Sequence, residues 1–177
     1  ASIIPNCVSY DPTYAYELAV IIQDGLKRMY EKKEKVFYYI TSLNENYVHP
    51  PMPEGVEEGI KRGLYRLKKS AIKGAKNKKP ARIQLLGSGS ILRQVEQAAQ
   101  WLEGKGIAAD VWSVTSFNEL RRDGLACERT ALLSATEQPP VPWVTRQLAD
   151  SEGPIVATTD HMKTYAEQIR AFIPEGR

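Results

Sequence analysis

The stretch with the clearest chemical potential is Gly87-Ser88-Gly89-Ser90, between an apolar run from Arg82 to Leu86 and helical periodicity from Ile91 to Leu102. Small residues let a ligand approach the backbone, and the first turn of a helix offers unpaired amides and a positive dipole to an anion. The motif is not a dinucleotide fingerprint, because Leu92 stands where the third glycine is needed. Nor is it a P-loop, because no Gly-Lys-Ser/Thr follows. Two readings stand for Gly87, Ser88, Gly89 and Ser90: an anion- or small-molecule-binding turn, or a tight turn that packs a helix on its strand and against a neighbouring domain.

Other reactive residue types are scarce. His49 and His161 are the two histidines, and Cys7 and Cys127 the two cysteines. A zinc site needs three or four nitrogen or sulfur ligands, and two thiols cannot build a disulfide framework. Both cysteines read as buried, reduced thiols, with one long-range disulfide as the alternative. Asp160-His161 is either a polar loop pair or part of a relay, and His49 precedes the extended stretch Pro50-Pro51-Met52-Pro53. Ser88, Ser90 and Ser134 have no histidine near them in sequence, and no nucleophile elbow occurs. Glu45, Glu57 and Glu58 lack a matched carboxylate at a defined spacing. By chemistry alone these residues support only an α/β protein of unknown activity, and no metal-binding residue is expected.

The net charge of +3 conceals an asymmetry, since nine basic and no acidic residues lie between Lys61 and Lys79. The remainder is net acidic by six. Such a segment is either a polyanion-binding surface or a solvated helix face followed by a Lys-rich turn. Tyr65 is its one aromatic residue, too few for base stacking, so the second reading is expected and nucleic acid is not an expected partner. With 42% hydrophobic and 25% charged residues, the 177-residue chain has globular rather than disordered composition. No apolar run approaches the roughly 20 residues of a membrane span, and the N-terminus lacks the features of a secretory signal. A cytoplasmic protein without a membrane partner is expected. The missing initiator Met is expected of a chain that begins inside a longer protein.

These residues must be positioned by an α/β frame. Asp11-Pro12 predicts the start of a helix running to Met29, and Val36 to Thr41 predicts a buried strand. Residues 44–53 read as a linker or an extended crossover. Val56, Ile60, Leu64 and Leu67 predict a helix over 54–71, ended by a charged turn from Gly74 to Pro80. Strand 82–86, helix 91–102 stopped by Gly104 and Gly106, and a partly alternating strand 107–114 follow. A short helix capped by Asn118, a helix from Pro142 to Ala149, a strand 154–158 and a helix 164–172 complete the pattern. The fold class is α/β: a mostly parallel sheet with flanking helices, preceded by a helix–strand piece of a second α/β domain.

Motif wording adds a different signal. Asn6 to Glu17, Asn44-Glu45-Asn46-Tyr47, Leu85 to Arg93, Ser113 to Leu120, Asp123-Gly124 and Cys127-Glu128-Arg129 occur in order, followed by Val141-Pro142-Trp143, Thr158-Thr159-Asp160 and Met162-Lys163. Together they closely resemble the homodimeric type of pyruvate dehydrogenase E1 component, over essentially the whole chain. The resemblance implies a thiamine-diphosphate and Mg²⁺ enzyme of three transketolase-like domains. Such an enzyme decarboxylates pyruvate and reductively acetylates the lipoyl group of its dihydrolipoyl acetyltransferase partner. On that plan residues 1–50 resemble the end of the pyrimidine-binding domain, 51–80 a linker, helix and Lys-rich turn, and 81–177 a truncated C-terminal domain. The Gly-Asp-Gly motif for the diphosphate is absent, since Asp24-Gly25 follows Gln23 and Asp123-Gly124 follows Arg122. The resemblance therefore places the cofactor ligands upstream of Ala1, and the family's last strand and helices beyond Arg177. It implies a structural and interfacial segment, inactive and cofactor-free alone, that contacts the rest of its subunit and a second E1 subunit.

Overall fold

Leu85 and Leu86 are adjacent on one strand, and both are buried. Their side chains enter different apolar clusters on opposite faces of a sheet, so the sheet is covered on both sides. The structure is a computed structural model that describes residues 3–74, 79–134 and 138–176. Four strands form the larger sheet in the order β3-β5-β4-β6. They are β3 (Tyr65–Lys68), β4 (Arg82–Gly87), β5 (Ala108–Ser113) and β6 (Ile155–Thr158). β4 runs parallel to both β5 and β6, and β3 lies antiparallel along the outer side of β5.

Leu86 packs with Trp112, Phe117, Leu120, Val144 and Leu148 beneath α4 (Phe117–Leu133) and α5 (Trp143–Leu148). Leu85 packs with Leu92, Val95, Ala99 and Val111 beneath α3 (Leu92–Glu103). A second, two-stranded parallel sheet joins β1 (Cys7–Tyr10) to β2 (Phe37–Ile40). Their crossover is α1 (Ala15–Leu26), extended by a π-helical turn over Lys27–Glu31. α2 (Glu57–Arg62) lies between the sheets, where Ile60 packs with Val8, Tyr10, Ile21 and Tyr65. α6 (Lys163–Glu167) closes the chain with a 3₁₀ turn over Arg170–Phe172. The expected α/β class and mostly parallel sheet are present. No helix of the described residues is long and apolar enough to cross a membrane.

Several sequence expectations need correction. The helix predicted over 54–71 stops at Arg62, because Gly63 takes φ +100° and a Cβ there would lie 2.4 Å from the Ser116 carbonyl oxygen. The chain reverses at that point, and Leu64 and Leu67 enter different clusters instead of one helix face. β1 was not anticipated, and Asp11 does not cap α1, which starts at Ala15. β5 is buried at all six positions rather than alternating, because helices cover both its faces. α4 is capped by Ser116, whose Oγ accepts from the Glu119 amide, and it runs on to Leu133. Asn118 is instead buried against Ser9. The last predicted helix is broken between Glu167 and Arg170. Cys7 is buried as expected but Cys127 is partly exposed, and both are free thiols. Lys76 and Lys78 lie outside the described residues.

The sheet end opposite the Gly87 turn is held by a polar network. Asp110 accepts from Arg82 Nη1 on both oxygens at 2.7 Å, from the Ser70 amide at 2.8 Å and from Gln84 Nε2 at 3.1 Å. Gln84, itself fully buried, accepts from Trp112 Nε1 at 2.8 Å. Burial pushes the Asp110 carboxyl up, but the Ser70 amide and the Arg82 guanidinium outweigh it and hold it below the usual carboxylate range. A carboxyl lowered on folding stabilises the native state above its unfolded value of about 3.9, and that contribution disappears as pH falls through the folded value. Asp110→Asn is therefore expected to cost about 3 kcal/mol at pH 7 and to flatten the loss of stability on acidification below about pH 4. Urea midpoints for both proteins across that range check this; parallel pH profiles would contradict it.

Candidate functional site

From β4 the chain passes through α3 to β5 on one side, then through α4 and α5 to β6 on the other side of β4. The direction of chain progression thus reverses between β4 and β6. In open α/β sheets the loops leaving the C-terminal ends of two such strands diverge and leave a crevice. The loop after β4 is Gly87-Ser88-Gly89-Ser90, and the loop after β6 is Thr159-Asp160-His161. Ser88 Oγ lies 3.1 Å from Thr159 Oγ1, and Ser90 Oγ donates to Asp160 Oδ2 at 2.8 Å. The fold therefore brings together two features that are about seventy residues apart in sequence.

A third segment enters the crevice from the smaller sheet. Asp11, in the loop between β1 and α1, donates its amide to the Thr115 carbonyl at 2.7 Å and accepts on its own carbonyl from the Gly89 amide at 3.1 Å. Thr13 Oγ1 donates to the Gly89 carbonyl at 2.7 Å. The Asp11 side chain accepts from Thr41 Oγ1 on Oδ1. Its Oδ2 lies 3.8 Å from His161 Nε2, which is 4.0 Å from Asp160 Oδ1. Gly89 sits at φ +49° with its would-be Cβ 2.5 Å from Asp11 Oδ1, so only glycine admits this approach. A cavity of about 160 Å³ beside Asp11 is lined by Tyr39, Thr41, Asn118, His161 and Tyr165. The turn thus faces two carboxylates, and its Gly89 amide is already bonded.

The sequence reading took Asp11 for a helix cap and gave Glu17 no role of its own. Glu17 is fully buried on α1. Its Oε2 accepts from the Thr13 and Tyr14 amides at 2.6 and 2.9 Å, and its Oε1 from Tyr65 OH and Ser113 Oγ, both at 2.6 Å. Two bonds are local and two reach β3 and β5 of the other sheet. The available signal was the position of Glu17, third after the start of α1, where a carboxylate turns back onto the amides that precede the helix.

The remaining candidates do not converge. His49 Nδ1 accepts from the Ala15 amide at 3.0 Å, and its ring packs on Tyr47. Glu45 pairs with Arg93, whose guanidinium covers the Tyr47 ring. In the basic segment, Lys61 and Arg62 both pair with Glu58, Lys68 with Glu103 and Lys79 with Glu152. Much of that positive charge is therefore matched at close range.

Comparison with known proteins adds a second line of observation. The family model for the pyruvate dehydrogenase E1 component middle domain matches residues 1–50, and that for the transketolase-like C-terminal domain matches residues 63–175. The pyruvate dehydrogenase E1 component of Pseudomonas aeruginosa is 55% identical over 175 residues, covering 98% of this chain and 19% of that protein. The one from Escherichia coli K12 is 57% identical over 173 residues, covering 97% and 19%. The chain thus spans about a fifth of the length of these curated relatives. A transketolase variant from Pichia stipitis matches in structure with a TM-score of 0.52 at 17% identity, over 98% of this chain and 24% of that one, a likeness of fold alone.

Glu17 is the most exacting of the contacts between the two sheets. Glu17→Gln is expected to lower unfolding free energy by about 2 kcal/mol, and Glu17→Ala by about 4 kcal/mol, because two amides and two hydroxyls lose their acceptor. Chemical denaturation at neutral pH checks this, and a wild-type midpoint in the alanine variant would contradict it.

Proposed function

The chain belongs to the family of transketolase-like C-terminal domains, and from that premise we propose that it forms part of a pyruvate dehydrogenase E1 subunit. In this reading the whole protein decarboxylates pyruvate with thiamine diphosphate and Mg²⁺. It passes the acetyl group to the lipoyl arm of a dihydrolipoyl acetyltransferase, and it works as a cytoplasmic homodimer. Residues 1–50 complete a pyrimidine-binding domain, and the sheet from β3 onward forms the C-terminal domain. The segment's task is to fix one domain on the other, to present dimer contacts and to wall the pocket.

The observation that carries the structural part of this proposal is the buried Glu17 carboxylate, which binds both its own helix start and the larger sheet. Such a joint sets domain orientation, and orientation decides whether a cofactor held between domains meets its substrate. The described residues do not fit the cofactor's diphosphate: the one turn shaped like an anion cradle is faced by Asp11 and Asp160. Catalytic groups are accordingly assigned to other parts of the subunit.

The isolated 177-residue chain is expected to show no saturable binding of thiamine diphosphate in the presence of Mg²⁺ by calorimetry. Micromolar binding by this chain alone would overturn the assignment of a purely structural role.

A further inference from the structure

We propose that Asp11, Asp160 and His161 form a site for a divalent transition-metal ion of the zinc type, at the crevice where the sheet reverses direction. The proposal stands on this chain's own residues and is independent of the E1 reading. Asp11 is 6% exposed. Its Oδ1 is bonded to Thr41, but its Oδ2 is buried and has no hydrogen-bond partner among the described residues. A buried carboxylate oxygen left unpaired is costly unless a cation faces it. Asp11 and His161 line the same cavity, and this oxygen lies 3.8 Å from the His161 imidazole nitrogen, with Gly89 packed against the carboxylate.

Ligand atoms from Asp11, Asp160 and His161 lie within 4.8 Å of one another, and this is the one such group among the described residues. A tetrahedral ion with ligands at about 2.0–2.2 Å holds their atoms roughly 3.4 Å apart. The two His161 spacings are 3.8 and 4.0 Å and all three ligand atoms lie within 4.8 Å, so a pair must close by up to about 1.4 Å. Asp160 and His161 can supply that movement, because their side chains are 51% and 41% exposed. Asp11 stays fixed as the anchor.

The surroundings complete the arrangement of a metal site. Asp160 Oδ2 is oriented by Ser90 and Asp11 Oδ1 by Thr41, leaving the other oxygen of each carboxylate for the ion. Two carboxylates and one imidazole suit zinc or its neighbours better than Mg²⁺ or Ca²⁺, which prefer oxygen alone. Three protein ligands leave a fourth position open to water, and the same two carboxylates discourage an anion. Asp11 arrives from the smaller sheet and the other two ligands from the larger one, so a bound ion would clamp both sheets together.

The test uses the full chain carrying Cys127→Ser, so that the partly exposed thiol cannot compete, after removal of adventitious metal with a chelator. Titration with zinc chloride at pH 7.5 is expected to show one ion per chain, with a rise in melting temperature that an equal concentration of Mg²⁺ does not give. Asp160→Asn and His161→Ala are each compared with their own metal-free melting temperature, since Asp160 accepts from Ser90 and His161 packs on Tyr165. Each should weaken zinc binding by at least about tenfold and remove the thermal response. Three results would overturn the proposal. One is no saturable uptake in the micromolar range, and another is uptake that both variants leave intact. The third is a melting temperature that responds to protonation of His161 but not to zinc, which would make the imidazolium the counter-ion of Asp11.

Discussion

The joint between the two sheets is organised around one buried carboxylate, beside which no cation lies among the described residues. Glu17 is compensated entirely by dipoles: two amides at the start of its own helix and two hydroxyls from strands of the other sheet. Dipoles stabilise a buried anion only when each points correctly, so the carboxylate imposes directional constraints on everything around it. It fixes where α1 begins, how far β3 and β5 reach, and at what angle the smaller sheet meets the larger. The apolar cluster of Val8, Tyr10, Ile21, Ile60 and Tyr65 supplies cohesion at this boundary. Apolar contact alone would tolerate sliding, and the Glu17 bonds do not.

The second organising element is the order of strands in the larger sheet. Because β5 and β6 flank β4, the loops after β4 and β6 end side by side, and their polar residues contact each other and the intruding Asp11. The Gly-Ser turn that stands out in the sequence is thus half of a structure whose other half is Thr159-Asp160-His161. Glycine at position 89 serves close approach, and what comes close is the protein's own Asp11.

Much of the fold was legible because the local signals were strong. The run Arg82 to Leu86, the apolar periodicity of α3 and its terminal glycines all point to the same elements that form. Failures occurred where tertiary contact outweighed local pattern. Leu64 and Leu67 continue a helical spacing, but Gly63 reverses the chain and sends them to different clusters. Cys7–Tyr10 is too short to declare itself a strand without its partner Phe37–Ile40. Of the site, the turn was visible as a motif, whereas Asp11 and Glu17 each resembled an ordinary helix-start residue. Their roles arise from partners on distant strands, which no local spacing encodes.

The contacts of β1 carry a consequence for how the chain acquires its structure. Ser9 is held by Ser116 and Asn118, the Cys7 carbonyl by Arg122, and Glu17 by Ser113. All these partners emerge about a hundred residues later. Folding of domains in order of synthesis requires each to be complete before the next appears, and here the first strand waits for the start of α4. Long-range closure of this kind slows folding and leaves early apolar surface waiting. During translation the faces of β1 and α1 that meet these partners therefore stay uncovered until the opposite half of the interface has been made.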